Sequence, residues 1–272
     1  MEFKNRIKSI AIGSFDGVHL AHQALIKEVE AVVIIERNMA TITHGYKRVE
    51  YIKKPSFFYH FEEIKLLSAK DFIDKIQEDF PKLEKIVVGY DFAFGYKKEG
   101  DITILKSLFK KEVVVVKEIK YNGVSVHSCT IREKISKGHI SMANRLLNRN
   151  YKIIGRVIKG QGIGRRELVP TINIDVQNYI LPKEGVYATK TLINNIWLDS
   201  ISFLGHRVTT DGSFAVETHI LNRNIEKVQD TIEIEFIDFI RSNKKFNTLF
   251  DLKEQIEKDI NNRLKLSTLN NI

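Results

Sequence analysis

His19 and His22 stand three residues apart, directly after Gly13-Ser14-Phe15-Asp16-Gly17-Val18. Two imidazoles at that spacing share one side of a first helical turn, where they can aim two donors, or one cation and one donor, at a single phosphate. The apolar run Ile10-Ala11-Ile12 enters this stretch and a helix-patterned run, 21–29, leaves it. A strand, a glycine-containing turn and a helix N-terminus in that order make a phosphate site, because turn N–H groups approach the anion and the helix dipole favours negative charge there. Gly13, Phe15, Asp16 and Gly17 are therefore candidate nucleotide- or phosphate-binding positions, with His19 and His22 as candidate catalytic groups. The chemistry that suits them is nucleotidyl transfer. The attacking oxygen comes from a substrate, so the protein supplies no nucleophile. It stabilises charge developing at the α-phosphorus and on the departing pyrophosphate. The zinc-protease motif is excluded, since it needs four-residue spacing and a glutamate after the first histidine. The plainer alternative is a pair of surface histidines on a helix.

The elements that must hold these groups are legible in two rhythms. In the first half, 31–35, 85–89 and 112–116 are β-branched runs of the kind buried parallel strands show. Ser68 is placed to cap a helix carrying Phe72, Ile73 and Ile76, and 102–110 is helix-patterned. Strand and helix in alternation predict a parallel sheet covered by helices, with ligands at the carboxyl ends of its strands. In the second half, 151–159, 171–176, 185–193, 197–203, 214–221 and 231–240 are strand-like. Ile232, Ile234 and Phe236 alternate with Glu233 and Glu235, a half-exposed antiparallel pattern. Successive strands between turns suggest a small barrel. A final helix carries Leu252, Ile256, Ile260 and Leu264. The rhythm changes at Asn148-Arg149-Asn150, which divides the chain into domains 1–149 and 150–272.

Composition narrows the partners. With 272 residues, 43% of them hydrophobic, the chain can bury real cores, which argues against disorder. The formal net charge is +9. The lysines are dispersed and form no block, so anionic small molecules fit better than nucleic acid. One cysteine, Cys129, rules out an intrachain disulfide framework and fits a reducing cytoplasm. No signal peptide is visible, and no run approaches the roughly 20 apolar residues of a membrane span.

Gly-Ser-Phe-Asp-Gly-Val-His-x-x-His after a strand resembles the signature of the nucleotidylyltransferase superfamily, and Phe-Asp-Gly-Val-His its FAD synthetase branch. Ala21 replaces that branch's glycine between the histidines. Val88-Gly89-Tyr90-Asp91-Phe92-Ala93-Phe94-Gly95 resembles the same branch's Gly-x-Asp-Phe-x-Phe-Gly, which implies that Asp91 lies near the nucleotide or flavin. Val126-His127-Ser128-Cys129-Thr130-Ile131-Arg132 is similar to its Ile-Ser-Ser-Thr-x-Ile-Arg. The resemblance implies that Ser128, Arg132 and the helix N–H groups clamp the ATP phosphates. The family's Thr-Phe-x-Pro-His-Pro-like stretch is missing; 35–48 stands in its place.

Further along, Gly160-Gln161-Gly162-Ile163-Gly164-Arg165 and Pro170-Thr171-Ile172-Asn173 resemble the riboflavin kinase signature. Gly160, Gly164 and Arg165 would then face phosphates. Thr171 and Asn173 would offer oxygen ligands to Mg²⁺, on one face of a strand. The plain reading is a glycine-rich hairpin beside an ordinary strand. Leu181-Pro182-x-x-Gly185-Val186-Tyr187-Ala188 and Val216-Glu217-Thr218-His219-Ile220-Leu221 fit the same family, and Gly205-His206-Arg207-Val208-Thr209 looks like its Gly-x-Arg-Pro-Thr. Glu217 matches the family's catalytic base, and Arg241 matches an arginine on the flavin side.

The resemblance covers nearly the whole chain, to bacterial bifunctional riboflavin kinase/FAD synthetases. It implies a Rossmann-like α/β nucleotidylyltransferase domain followed by a small antiparallel β-barrel riboflavin kinase domain with a C-terminal helix. It also implies conversion of riboflavin to FMN with one ATP and of FMN to FAD with a second, assisted by Mg²⁺. The competing expectations are a chain with one active domain, and a non-catalytic protein that binds flavin or nucleic acid.

Overall fold

The computed structural model describes residues 4–159, 169–207, 209, 212–223, 225 and 228–269, with the backbone alone from 264 onward. The chain divides into two compact units, Met1–Thr130 and Ile131–Ile272.

The first unit is built on a parallel sheet. Strands β1 (Ser9–Gly13), β2 (Ala31–Glu36), β3 (Ser56–His60), β4 (Lys85–Gly89) and β5 (Glu112–Val116) lie in the order β3-β2-β1-β4-β5. Every neighbouring pair is parallel. Strands of this kind are covered on both faces, and two cores result. Ile10, Ile12, Ile86 and Val88 face Phe72, Ile73 and Ile76 of a long helix, with Leu105 of another. Ala11, Val32, Ile34 and Val87 face Leu25 and Ile26 on the opposite side. The helices are α1 (Leu20–Lys27), the short α2 (Val49–Ile52) and α3 (Phe61–Ile64) flanking β3, α4 (Ala69–Asp79) and α5 (Ile102–Leu108). Ser68 caps α4 through the Asp71 N–H and Asp101 caps α5 through the Ile104 N–H, each satisfying a donor the first turn leaves open. The strand β3 was not among the sequence expectations. Phe57 joins one core and Phe58 the other, so neither a β-branched run nor an apolar–polar alternation marks it. The small hairpin β6 (Lys120–Tyr121) and β7 (Val124–Ser125) follows β5.

Helix α6 (Ser128–Ser136) spans the division, and α7 (Ile140–Leu147) belongs to the second unit. There Asn144 accepts the Tyr151 N–H at 2.7 Å and donates to the Phe236 carbonyl at 2.8 Å. Strands β8 (Tyr151–Ile158), β9 (Ile172–Asp175), β10 (Gly185–Ile193), β11 (Ile196–His206), β12 (Phe214–Ile220) and β13 (Thr231–Ser242) close an antiparallel barrel in the order β10-β11-β12-β9-β8-β13. Ile232, Ile234 and Phe236 are fully buried, as their alternation predicts. Helix α8 (Leu249–Leu269) covers the outside of β10 and β11: Ile260 packs with Val186, Ile201 and Leu221. Buried Arg263 donates to the Asp199 carboxylate at 2.7 Å and to the Thr189 carbonyl. The side chain of Leu264 lies outside the described residues.

Part of the barrel interior is polar. Thr189 and Thr191 of β10, Ser200 and Ser202 of β11 and Thr218 of β12 are all buried. Their hydroxyls form a closed cycle: Ser202 to Thr218, Thr218 to Thr191, Thr191 to Ser200, Ser200 to Thr189 and Thr189 back to Ser202, each step 2.8–3.0 Å. A hydroxyl can donate once and accept, so circulation in one sense satisfies the cycle without charge. Thr218→Val keeps the shape and breaks the cycle at two contacts, leaving Thr191 and Ser202 one partner short. The expected loss is roughly 1–3 kcal/mol of barrel stability, read by urea unfolding with the fluorescence of Trp197, which lies on β11 and is the chain's single tryptophan.

Candidate functional site

The turn after β1 is built from side chains that plug inward. Phe15 and Val18 have positive φ, 48° and 41°, a backbone region that β-branched and bulky residues rarely occupy. Both side chains are fully buried and join the core beneath α1, so what Phe15 offers a ligand is backbone. Gly17, at φ 84°, supplies the left-handed step between them. His19 is the N-cap of α1: its Nδ1 accepts the His22 N–H at 3.4 Å. The proton of a neutral His19 ring therefore sits on Nε2. Ser128 Oγ lies 3.3 Å from that Nε2 and donates its own proton to the Asp16 carbonyl at 2.9 Å. The two imidazoles stack, with centroids 3.6 Å apart and planes 16° from parallel. The histidine pair predicted to share one side of the turn is thus brought together, and Ser128 joins it.

Asp16 is nearly buried, and its Oδ1 accepts the N–H groups of Ile42 at 2.8 Å and Thr43 at 3.2 Å. Those residues lie in the segment that replaces the missing Pro-His-Pro-like stretch. The segment is anchored again from Arg48, 2% exposed, whose Nε donates to the Thr43 carbonyl and whose Nη1 lies 3.8 Å from Glu36 Oε1. Sequence reasoning did not identify Arg48 or Glu36. The only available signal was the place of Glu36 at the end of β2 and of Arg48 in the segment that follows it.

On the far side of β1, Asp91 follows β4 with its side chain exposed, 3.7 Å from His127 Nδ1. Tyr90 Oη meets His127 Nε2 at 2.7 Å. Partial desolvation first, then the Glu118 and Asp91 carboxylates, push the Tyr90 phenol up from its ordinary value, so it stays a donor. Gly95 of this motif and Gly100 just beyond it are steric. A Cβ on Gly100 would stand 2.8 Å from the Phe94 ring, and one on Gly95 2.7 Å from the Ala69 nitrogen. Arg132 lies one turn beyond Ser128 on α6, and Cys129 between them is exposed.

In the barrel, Glu217 of β12 pairs directly across from Asn173 of β9. Thr171 stands exposed just before β9. Glu217 and His219 share one face while Thr218 points inward, as strand alternation predicts. His219 Nδ1 contacts the Pro170 carbonyl at 2.8 Å. The sequence reading gave Arg207 no role, yet it dominates this face. Its Nε and Nη2 donate to Glu217 Oε1 at 2.8 and 2.6 Å, and Nη2 also to Asn173 Oδ1 at 2.6 Å. Asn173 and Arg207 line a cavity of about 350 Å³ together with Ile158, Lys159, Val176 and Phe214. Gly160, Gly164 and Arg165, expected to face phosphates, lie outside the described residues. Arg241, expected on the flavin side, donates through Nε to Asp259 Oδ2 at 2.8 Å, with Nη2 equally close. It therefore ties β13 to α8.

Two family models match, described as FAD synthetase over residues 32–130 and riboflavin kinase over residues 147–267. A Buchnera aphidicola protein is 32% identical, with 92% of this chain and 90% of the relative covered. A Listeria monocytogenes protein is 31% identical with 93% and 90% covered, and one from Escherichia coli K12 is 26% identical with 92% and 90% covered. All three are described as bifunctional riboflavin kinase/FMN adenylyltransferases. Among solved structures, a Streptococcus pneumoniae chain described as a macrolide-efflux protein shares the fold, with a TM-score of 0.84 at 24% identity over 95% of both chains.

The latch on Asp16 is directly testable. Asp16→Ala removes the acceptor of two buried N–H groups, each worth roughly 1–3 kcal/mol when left unsatisfied. Urea unfolding followed by circular dichroism should show the first unit destabilised by that order, while Trp197 fluorescence shows the barrel transition unmoved.

Proposed function

We infer that this chain, which belongs to the bifunctional riboflavin kinase/FMN adenylyltransferase family, makes FMN from riboflavin with one ATP and FAD from FMN with a second. Adenylyl transfer is assigned to residues 1–149 and phosphorylation to 150–272. For the first, the supporting observation is the stacked His19–His22 pair at the start of α1, beside a turn of left-handed backbone. His19 holds its Nε2 proton ready as a donor, and the α1 N-terminus adds its dipole. Together they oppose the charge that builds as the FMN phosphate oxygen attacks the α-phosphorus and pyrophosphate leaves. Ser128 and Arg132 are assigned to the leaving phosphates and Asp91 to the nucleotide by resemblance.

For phosphorylation, the reading rests on Glu217 lying directly across the ladder from Asn173. Glu217 takes the proton of the ribityl hydroxyl as that oxygen attacks the γ-phosphorus. Thr171 and Asn173 fit Mg²⁺: both offer hard oxygen donors, and the Asn173 amide oxygen already faces a cation, the Arg207 guanidinium at 2.6 Å. When bound there, Mg²⁺ neutralises phosphate charge. Gly160, Gly164 and Arg165 are assigned to the phosphates and Arg241 to the flavin side by resemblance. No helix among the described residues is long and apolar enough to cross a membrane, and the single cysteine suits a cytoplasmic enzyme.

Products from riboflavin, ATP and Mg²⁺, separated by chromatography, test the two halves independently. His19→Ala or His22→Ala should lower FAD formation about 10²–10³-fold and leave FMN formation near the wild-type rate. Glu217→Gln should do the reverse, cutting FMN formation about 10²–10⁴-fold while supplied FMN is still adenylylated. Mutants with unchanged rates would remove the corresponding assignment.

A further inference from the structure

Arg207 sits where the phosphorylation reading has no residue. It follows β11 at the base of the β11–β12 loop, held there by its own N–H to the Ser213 carbonyl at 2.9 Å and by the Gly212 N–H to its carbonyl at 3.1 Å. The preceding residue is fixed too. His206 donates its N–H to Glu184 Oε2 at 3.1 Å and contacts Oε1 through Nδ1 at 2.9 Å. That N–H first, and the His206 ring after it, hold the Glu184 carboxyl below its ordinary range against the effect of desolvation. A Cβ on Gly205 would stand 2.6 Å from Glu184 Oε2, so only glycine permits this anchoring. The backbone is therefore rigidly presented, and the guanidinium reaches the cleft with each nitrogen engaged: Nε and Nη2 on Glu217, Nη2 also on Asn173, and Nη1 on Ser213 Oγ at 2.9 Å.

The two groups it holds are the ones the reaction must use. A carboxylate oxygen that accepts two charge-assisted bonds has its lone pairs directed at the guanidinium and not at a substrate hydroxyl. An amide oxygen 2.6 Å from a cationic nitrogen has a lone pair taken, and a divalent cation brought to the same oxygen meets the repulsion of that guanidinium. The same guanidinium lines the cavity, and arginine's planar fork matches phosphate oxygens as well as it matches carboxylates.

We propose, resting on the kinase reading above, that Arg207 is a positioning residue and the resident cation of the phosphorylation cleft. It keeps Glu217 and Asn173 in register in the nucleotide-free chain. It yields Asn173 to the divalent cation when nucleotide enters, and then turns its fork to the phosphate oxygens. Arg207 and the metal thus compete for one oxygen.

The test uses the full chain and Mn²⁺ as a paramagnetic probe, titrated in the presence of ADP and followed by the loss of the free-ion signal. Arg207→Met should take up Mn²⁺ at a several-fold lower free concentration than the wild type, because the competing cation is gone. Arg207→Lys, which keeps the charge, should titrate between the two. FMN formation by Arg207→Met should fall about 10–100-fold in kcat, the scale of a misplaced reacting group, with the KM for riboflavin little changed; a purely structural loss would leave the Mn²⁺ midpoint where it was or raise it. Trp197 fluorescence establishes that the barrel is folded, and Arg207→Gln replaces the methionine variant if that one is not. A wild type that makes no FMN removes the kinase reading itself. A wild type that makes FMN, alongside a folded Arg207→Met chain with an unshifted or raised Mn²⁺ midpoint, removes the role of Arg207 alone.

Discussion

The left-handed turn after β1 is held by burial and not by glycine alone. Phe15 and Val18 adopt a backbone that costs of order 1–3 kcal/mol per residue. Sinking each side chain fully into the core returns about 1.5–3 kcal/mol, so the balance favours the strained turn only while both plugs are seated. The polar contacts around the turn follow from that. With Phe15 and Val18 turned inward, Asp16 between them reaches Ile42 and Thr43, its carbonyl meets Ser128, and His19 falls at the N-cap of α1. The geometry of the histidine pair is thus set from below, by hydrophobic contacts.

The barrel meets a different constraint in a similar way. The face proposed for its chemistry is the outside of β9 and β12, so the adjacent inward residue, Thr218, must share the strand with Glu217 without disturbing it. The buried hydroxyl cycle gives that inward face its partners, and the outer pair is left to Arg207. Helix α8 closes another outer face through Arg263 and through the Arg241–Asp259 pair. An Arg–carboxylate pair with Asp259 this enclosed is held by fork geometry as much as by charge.

Much of this was legible in the sequence, wherever a local pattern carried the information. Runs such as Val-Val-Ile-Ile and Glu-Val-Val-Val-Val placed β2 and β5, and the alternation in 231–240 placed β13 and its inward face. The histidine spacing anticipated that His19 and His22 come together, and strand alternation set Glu217 and Thr218 on opposite faces. What was not legible depends on partners distant in the chain. Strand β3 shows no periodicity because its phenylalanines serve both cores. The local pattern marks Asp16 only as a turn residue, whereas its carboxylate goes to a segment 26 residues later. Arg207 stood inside a matched motif, and only the closed barrel shows that it bridges β9 and β12. The tie of Arg241 to Asp259, a carboxylate on the helix that follows, has no local signature either.

The hydroxyl cycle has a consequence for how the barrel assembles. Sliding one antiparallel strand past its neighbour by two residues keeps every side chain on its proper face, so apolar burial alone penalises such a slip weakly. In β10 and β11 it would move Thr189 away from Ser200, its direct cross-strand neighbour, and in β11 and β12 it would part Ser202 from Thr218. The slip that sets Thr189 opposite Leu198, or Thr218 opposite Leu204, strands buried hydroxyls without partners. The cycle therefore acts as a proofreading device for strand alignment: it charges a barrel misregistered in that sense for an error that its greasy residues would overlook, and so helps to fix how β12 stands against β11.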